Sequence, residues 1–128
     1  MESKLNHYSG LMPIPTIRGI EFVEFLLIIR IESKDRYTLV YIKNEENYIK
    51  STLCISEFEK LLPTTLFFRC HRSHIIGLNH LKKMEKCSRK IQLTNNHMIS
   101  IAEDRVFNFL ECIDMNYRRD KDEIFYLI

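Results

Sequence analysis

A chain of 128 residues with 45% hydrophobic and 11% aromatic residues has the material for one packed core, which excludes wholesale disorder. Nineteen basic and 17 acidic residues leave a formal charge of only +2, so total charge alone does not demand a polyanionic partner. Three glycines and no apolar run near the roughly 18 residues of a membrane span exclude collagen-like and helical membrane-spanning readings.

Met1 to Met12 reads as a polar tail, 13–115 as one domain and 116–128 as a second tail or an edge strand. Pro13 and Pro15 favour extended chain, so Ile14–Ile17 and Ile20–Val23 form a hairpin about Arg18-Gly19. Phe25–Ile31 is nearly all apolar and reads as one covered strand. A charged turn at Ser33-Lys34-Asp35-Arg36 leads into strand Tyr37–Ile42, and Tyr48–Leu53 returns. Ile55, Phe58, Leu61 and Leu62 share a helical face ended by Pro63. Lys82–Lys86, Lys90–Thr94 and His97–Ile101 read as strands turned at Cys87-Ser88-Arg89 and Asn95-Asn96. Val106, Phe109, Leu110 and Ile113 mark a last amphipathic helix, and Ile124–Ile128 an apolar end. The sum is a mostly β domain of roughly seven to nine short antiparallel strands with two short helices.

The chemistry concentrates in Phe67–Leu81, FFRCHRSHIIGLNHL, where an imidazole- and guanidinium-rich knot joins an apolar strand. Such donors form either a satisfied internal network or a surface that awaits an anion. Cys70, His71, His74 and His80 invite a metal. In a regular strand, however, His71 points away from Cys70 and His74, and no second ligand pair is present, so neither metal nor cofactor is expected. Cys70 beside His71 lacks an orienting carboxylate or amide, and glycine-rich phosphate loops are absent. No enzyme signature or small-molecule site emerges. Arg69 to Lys90 holds seven Lys or Arg against the single acid Glu85, compatible with a nucleic-acid surface or with a plain solvated face. Cys54, Cys70, Cys87 and Cys112 are widely spaced and no signal peptide opens the chain, which predicts reduced thiols and a cytoplasmic location.

Glu32-Ser33, Tyr37-Thr38, a short helix ending Leu62-Pro63 and then FFRCHRSHIIGL closely resemble the LytTR DNA-binding domain family, over about Ile14 to Ile113. The resemblance implies an elongated stack of short antiparallel sheets. It also implies sequence-specific binding of double-stranded DNA, commonly at repeated sites, in bacterial transcription regulation, sometimes as response-regulator output. In that family loop residues enter the major groove. Arg72 falls where the family places a base contact, and Arg36 near the family's first contacting loop. Arg105 lies further along the last helix than the family's third contact and is assigned to compensate for it. His71, Arg69, Ser73 and Tyr37 are assigned to loop positioning, and Lys34, Lys82, Lys83, Arg89 and Lys90 to the DNA backbone. Two departures stand out. Ala102-Glu103-Asp104 replaces a Ser-Arg pattern, and Gly77 stands where the family commonly has asparagine. A protein-interaction module on the same scaffold, with weakened DNA binding, is the rival reading, and a homodimer on DNA is a further expectation.

Overall fold

A computed structural model of the chain describes residues 10–85 and 88–117, with side chains described as far as Ile113. Ten strands and two α-helices fill these residues. A hairpin of β1 (Leu11–Thr16) and β2 (Gly19–Glu24) forms a sheet of its own. Five strands build the central sheet: β3 (Ile28–Lys34), β4 (Tyr37–Ile42), β5 (Ile49–Ser51), β6 (Phe67–His71) and β7 (His74–Gly77), in the order β5-β4-β3-β7-β6. A third sheet orders β10 (Met98–Ser100), β9 (Lys90–Leu93) and β8 (Leu81–Met84). All pairings are antiparallel. Helix α1 (Ile55–Leu61) follows β5, and α2 (Val106–Tyr117) closes the described chain.

The central sheet has a core on each face. On one side Met12 and Ile14 of the hairpin and Ile55 and Phe58 of α1 cover Ile28, Ile31, Val40, Phe67 and Ile75. On the other, Ile91, Leu93 and Ile99 of the third sheet and Phe109 and Leu110 of α2 cover Ile29, Cys70 and Ile76. Both helices obey the spacing of their apolar residues, because a stripe repeating every three or four positions is buried by a single sheet face. The result is a stack of antiparallel sheets in which the middle layer is wet on neither face.

Several elements differ from the sequence-based expectation. Met12 is 1% exposed, so the first strand begins inside the stretch read as tail. Phe25–Ile31 is not one strand. Phe25–Leu27 is a 3-10 turn, and β3 starts only at Ile28. There β3 carries one residue more than β4 between Ile28 and Arg30, a bulge that lets Ile28 and Ile31, three residues apart, enter the same core while Ile29 enters the other. Gly77 packs against this irregularity. A Cβ on Gly77 would lie 2.7 Å from the Ile28 carbonyl oxygen, closer than side-chain atoms approach. Asparagine, or any other residue with a β-carbon, would have to move the β3 backbone there. Ile124–Ile128 lies outside the described residues.

Candidate nucleic-acid interface

Two tight turns stand side by side at one end of the central sheet. β3 and β4 are joined by Asp35-Arg36 alone, closing on the pair Lys34 and Tyr37. Asp35 adopts φ +56°, a left-handed conformation that a short polar side chain tolerates. β6 and β7 are joined by Arg72-Ser73, closing on His71 and His74. Since β3 pairs with β7, the two tips are neighbours, and the Ser33 N–H donates to the Ser73 carbonyl at 2.9 Å. Arg72, Arg36 and Lys34 are exposed at these tips, and no ion pair among the described residues involves Arg72 or Arg36. Tyr37 is half-buried under the Lys50 ammonium, 4.4 Å from its ring centroid. An exposed guanidinium with all its donors open is a ready fork for a guanine edge or a phosphate.

The Arg72 turn is braced from beneath. His71 Nδ1 accepts the Ser73 N–H at 3.0 Å. Arg69 donates to the Arg72 carbonyl at 2.5 Å, to Glu59 of α1 at 2.8 Å and to Ser56 at 3.4 Å. Arg105 then clasps the Arg69 carbonyl with Nε and Nη2, at 3.0 and 2.7 Å, and lies over the Phe68 ring. Its guanidinium is therefore half-buried and engaged, in contrast to the free groove-reading fork expected of it. That role needs donors pointing outward, and two of five here hold the chain of β6. Glu59 and Ser56 were not singled out from the sequence. Their signal is the three-residue spacing that places both on one flank of α1, beside the buried face of Ile55 and Phe58.

Between these groups lies an open cleft of about 420 Å³ lined by Glu59, Arg69, His71, Arg72, Ala102, Asp104 and Arg105. Ala102 anchors its far wall by donating its N–H to the Cys70 carbonyl at 2.9 Å, and it caps the 3-10 turn Glu103–Arg105 without any side-chain hydrogen bond. Asp104 thus lends negative charge to a cleft whose other ionised walls are mostly guanidinium. Arg89, at φ +56°, has its carbonyl bonded by the Ile101 N–H, so the Ser88-Arg89 turn and Lys90 border the same end. Lys82 does not. Its ammonium bonds Asn96 at 2.9 Å, at the turn on the opposite end of the third sheet. Lys83, exposed on β8, lies between these two ends.

Cys70 and His80 are accounted for by burial and hydrogen bonding. Burial pushes the Cys70 thiol up to about 12, so it carries no thiolate for attack or metal binding. His80 is buried, its Nε2 donating to the Leu26 carbonyl at 2.7 Å, which leaves Nδ1 to accept from Thr94 at 3.1 Å. The strand assumed regular beyond Cys70 instead reverses at Arg72-Ser73, and a bulge after Arg69 sets His71 opposite His74, ring centroids 5.4 Å apart. That proximity removes the geometric objection to convergence. Even so, no group of three metal-ligating side chains occurs among the described residues.

His97 Nδ1 accepts from Arg30 Nε at 2.9 Å, beneath the Tyr41 ring, so the neutral imidazole is the form that fits. Burial is the main cause holding both His74 and His97 below the ordinary histidine value of 6.5. The folded state therefore binds fewer protons than the unfolded chain just below that pH, and stability is lost as pH falls through about 6.5. Urea midpoints should decline between pH 7.5 and 5.5, and His97→Gln should flatten that decline; an unchanged slope would clear His97 of any part in it.

Residues 18–114 match the LytTr DNA-binding domain family. The transcriptional regulatory protein YpdB of Escherichia coli strain CFT073 is 39% identical over 54 residues, 42% of this chain and 21% of that protein's length. The protein of the same name from Shigella flexneri matches to the same extent. The chain thus spans a minor part of the curated relatives it matches. A solved LytTr DNA-binding domain from Bacillus cereus superposes with a TM-score of 0.70 at 26% identity, over 81% of this chain and 96% of that one. Sheet stack, central motif and the extent of the match agree: this chain belongs to the LytTr DNA-binding domain family.

Proposed function

We propose that the chain binds double-stranded DNA sequence-specifically through its turns, and that this binding serves transcription regulation in the bacterial cytoplasm. The observation that carries the reading is the pair of exposed arginines, Arg72 and Arg36, on adjacent tips tied by the Ser33–Ser73 backbone bond. Arg72 and Arg36 read base edges, while Lys34, Arg89 and Lys90 meet phosphates around them. Arg105, His71, Arg69 and Ser73 hold the turn in shape. Lys83 contributes weakly, and Lys82 not at all. Two copies on repeated sites would each present the same tips.

The named role of YpdB as a transcriptional regulator supports this reading, as does the family's own description. Selection from a random pool of duplexes tests it: a shared motif should emerge from the bound fraction. Salt-dependent retention without any motif would reduce the function to non-specific binding. Absence of retention at low salt would favour the rival, a protein-interaction module, for which Asp104 and Glu59 in the cleft are the specific support.

Position decides which lysines matter. Lys90→Ala should lower the salt slope of binding by about one unit, whereas Lys82→Ala should leave it unchanged. Anisotropy titrations across a salt series separate the two. Equal slopes for both variants would mean that the duplex lies elsewhere.

A further inference from the structure

A surface of another kind runs along β2 and into a groove at the far end of β4 from the arginine turns. Among the described residues β2 is hydrogen-bonded to β1 and to no other strand, so its outer row of N–H and C=O groups is unpaired. Its side chains are unusually apolar for an edge: Phe22 is 65% and Ile20 59% exposed, and Leu11 on the neighbouring strand is 40% exposed. Beside this edge runs a groove of about 360 Å³ with an apolar floor that includes Val23, Leu27, Ile42 and Ile49. Its ionised lining groups are Glu21, Glu24 and Glu45, with no cation among them. Lys43 follows Ile42 in sequence but does not line the groove. β4 starts at the Asp35-Arg36 tip and ends at Ile42 in the groove, about 17 Å of strand away.

We infer that the β2 edge with its groove is a docking site for an extended protein segment alternating aliphatic and basic side chains. Main-chain bonds to β2 would supply affinity, as when a peptide adds a strand to an open sheet edge. Aliphatic side chains would cover Phe22 and Ile20, cations at the alternate positions would meet Glu21 on the other face, and the negative lining from Glu24 and Glu45 would add to their attraction. Charge selects the occupant. A second β2 would bring further carboxylates to an edge that already holds them, which is how natural edges repel their own copies. A basic segment meets the opposite sign. The groove lies at the far end of β4 from the Arg36 tip, while the Ile20 end of β2 runs back toward that tip through Pro15, Ser51 and Thr38; the inference stands whether or not the turns read DNA.

The test uses the full chain, labelled for amide NMR, and a nine-residue synthetic peptide alternating Lys and Val, with a Glu and Val peptide as control. The Lys peptide should shift amides of Gly19 to Glu24 and of Glu45, and the Glu peptide should not. Changing Glu21, Glu24 and Glu45 together to Gln should weaken binding by roughly tenfold, the sum of three partly screened pairs. Phe22→Ser should also weaken it without lowering the melting temperature, since the ring is mostly in water already. Shifts elsewhere on the surface, equal binding of the two peptides, or a triple variant that binds unchanged would overturn the proposal. So would β2 amides already protected from hydrogen exchange in the chain alone, whether by its own residues or by a second copy.

Discussion

Replacing Arg72 by alanine should weaken binding to the selected DNA site by about 1–3 kcal/mol, roughly five- to 150-fold, and flatten the preference for that site over its single-base variants. The effect is expected to be specific because Arg72 contributes to no packing contact that folding needs. Its side chain is exposed, and what the scaffold uses is its backbone carbonyl, which accepts from Arg69. Thermal stability should therefore hold while discrimination is lost. Arg72→Lys should restore phosphate attraction but not discrimination, since an ammonium cannot make the two parallel bonds of a guanidinium. A variant that keeps full affinity and full preference would show that base reading lies elsewhere, and Arg36 would be the next residue to change.

Phe58→Ala should be the most damaging single change to stability, costing about 3–5 kcal/mol as for other large-to-alanine replacements in a core. Phe58 is completely buried, wedged by α1 between Ile28, Ile31, Phe67 and Ile75. The loss is a large share of the roughly 5–15 kcal/mol that holds a domain of this size together. DNA affinity should fall as well, in excess of the unfolded fraction. Glu59, the next residue of the same helix, pairs with Arg69 at 2.8 Å, and Arg69 supports the Arg72 turn. Urea unfolding with parallel anisotropy titrations separates the two effects. A destabilised but fully active Phe58→Ala would mean that α1 does not transmit to the turn.

Periodicity made most of the architecture readable. Ile55 and Phe58 announced α1, Phe109 and Leu110 announced α2, and the polar breaks at Asp35-Arg36 and Asn95-Asn96 fell on real turns. The reversal at Arg72-Ser73 was harder to see. It contains neither glycine nor asparagine, and its stability comes from His71 and Arg69 reaching back to it. Phe25–Ile31 misled for a different reason: an unbroken apolar run carries no period, so the 3-10 turn and the bulge at Ile29 left no trace. Arg105 was ambiguous in principle. Sequence reports that a guanidinium is present at the start of α2; only the fold reveals that a carbonyl 36 positions earlier has taken its fork.

The bond from Ser33 to Ser73 has a bearing on what kind of reader this domain is. It extends the β3–β7 ladder by one step past Glu32 and His74, so the interval between the two arginine turns is set by the sheet. In the proposed mode, with Arg72 and Arg36 reading bases, moving one contacted base pair a single step along the duplex should cost far more than changing a base between the contacts. Spacing, as much as letters, becomes part of the address.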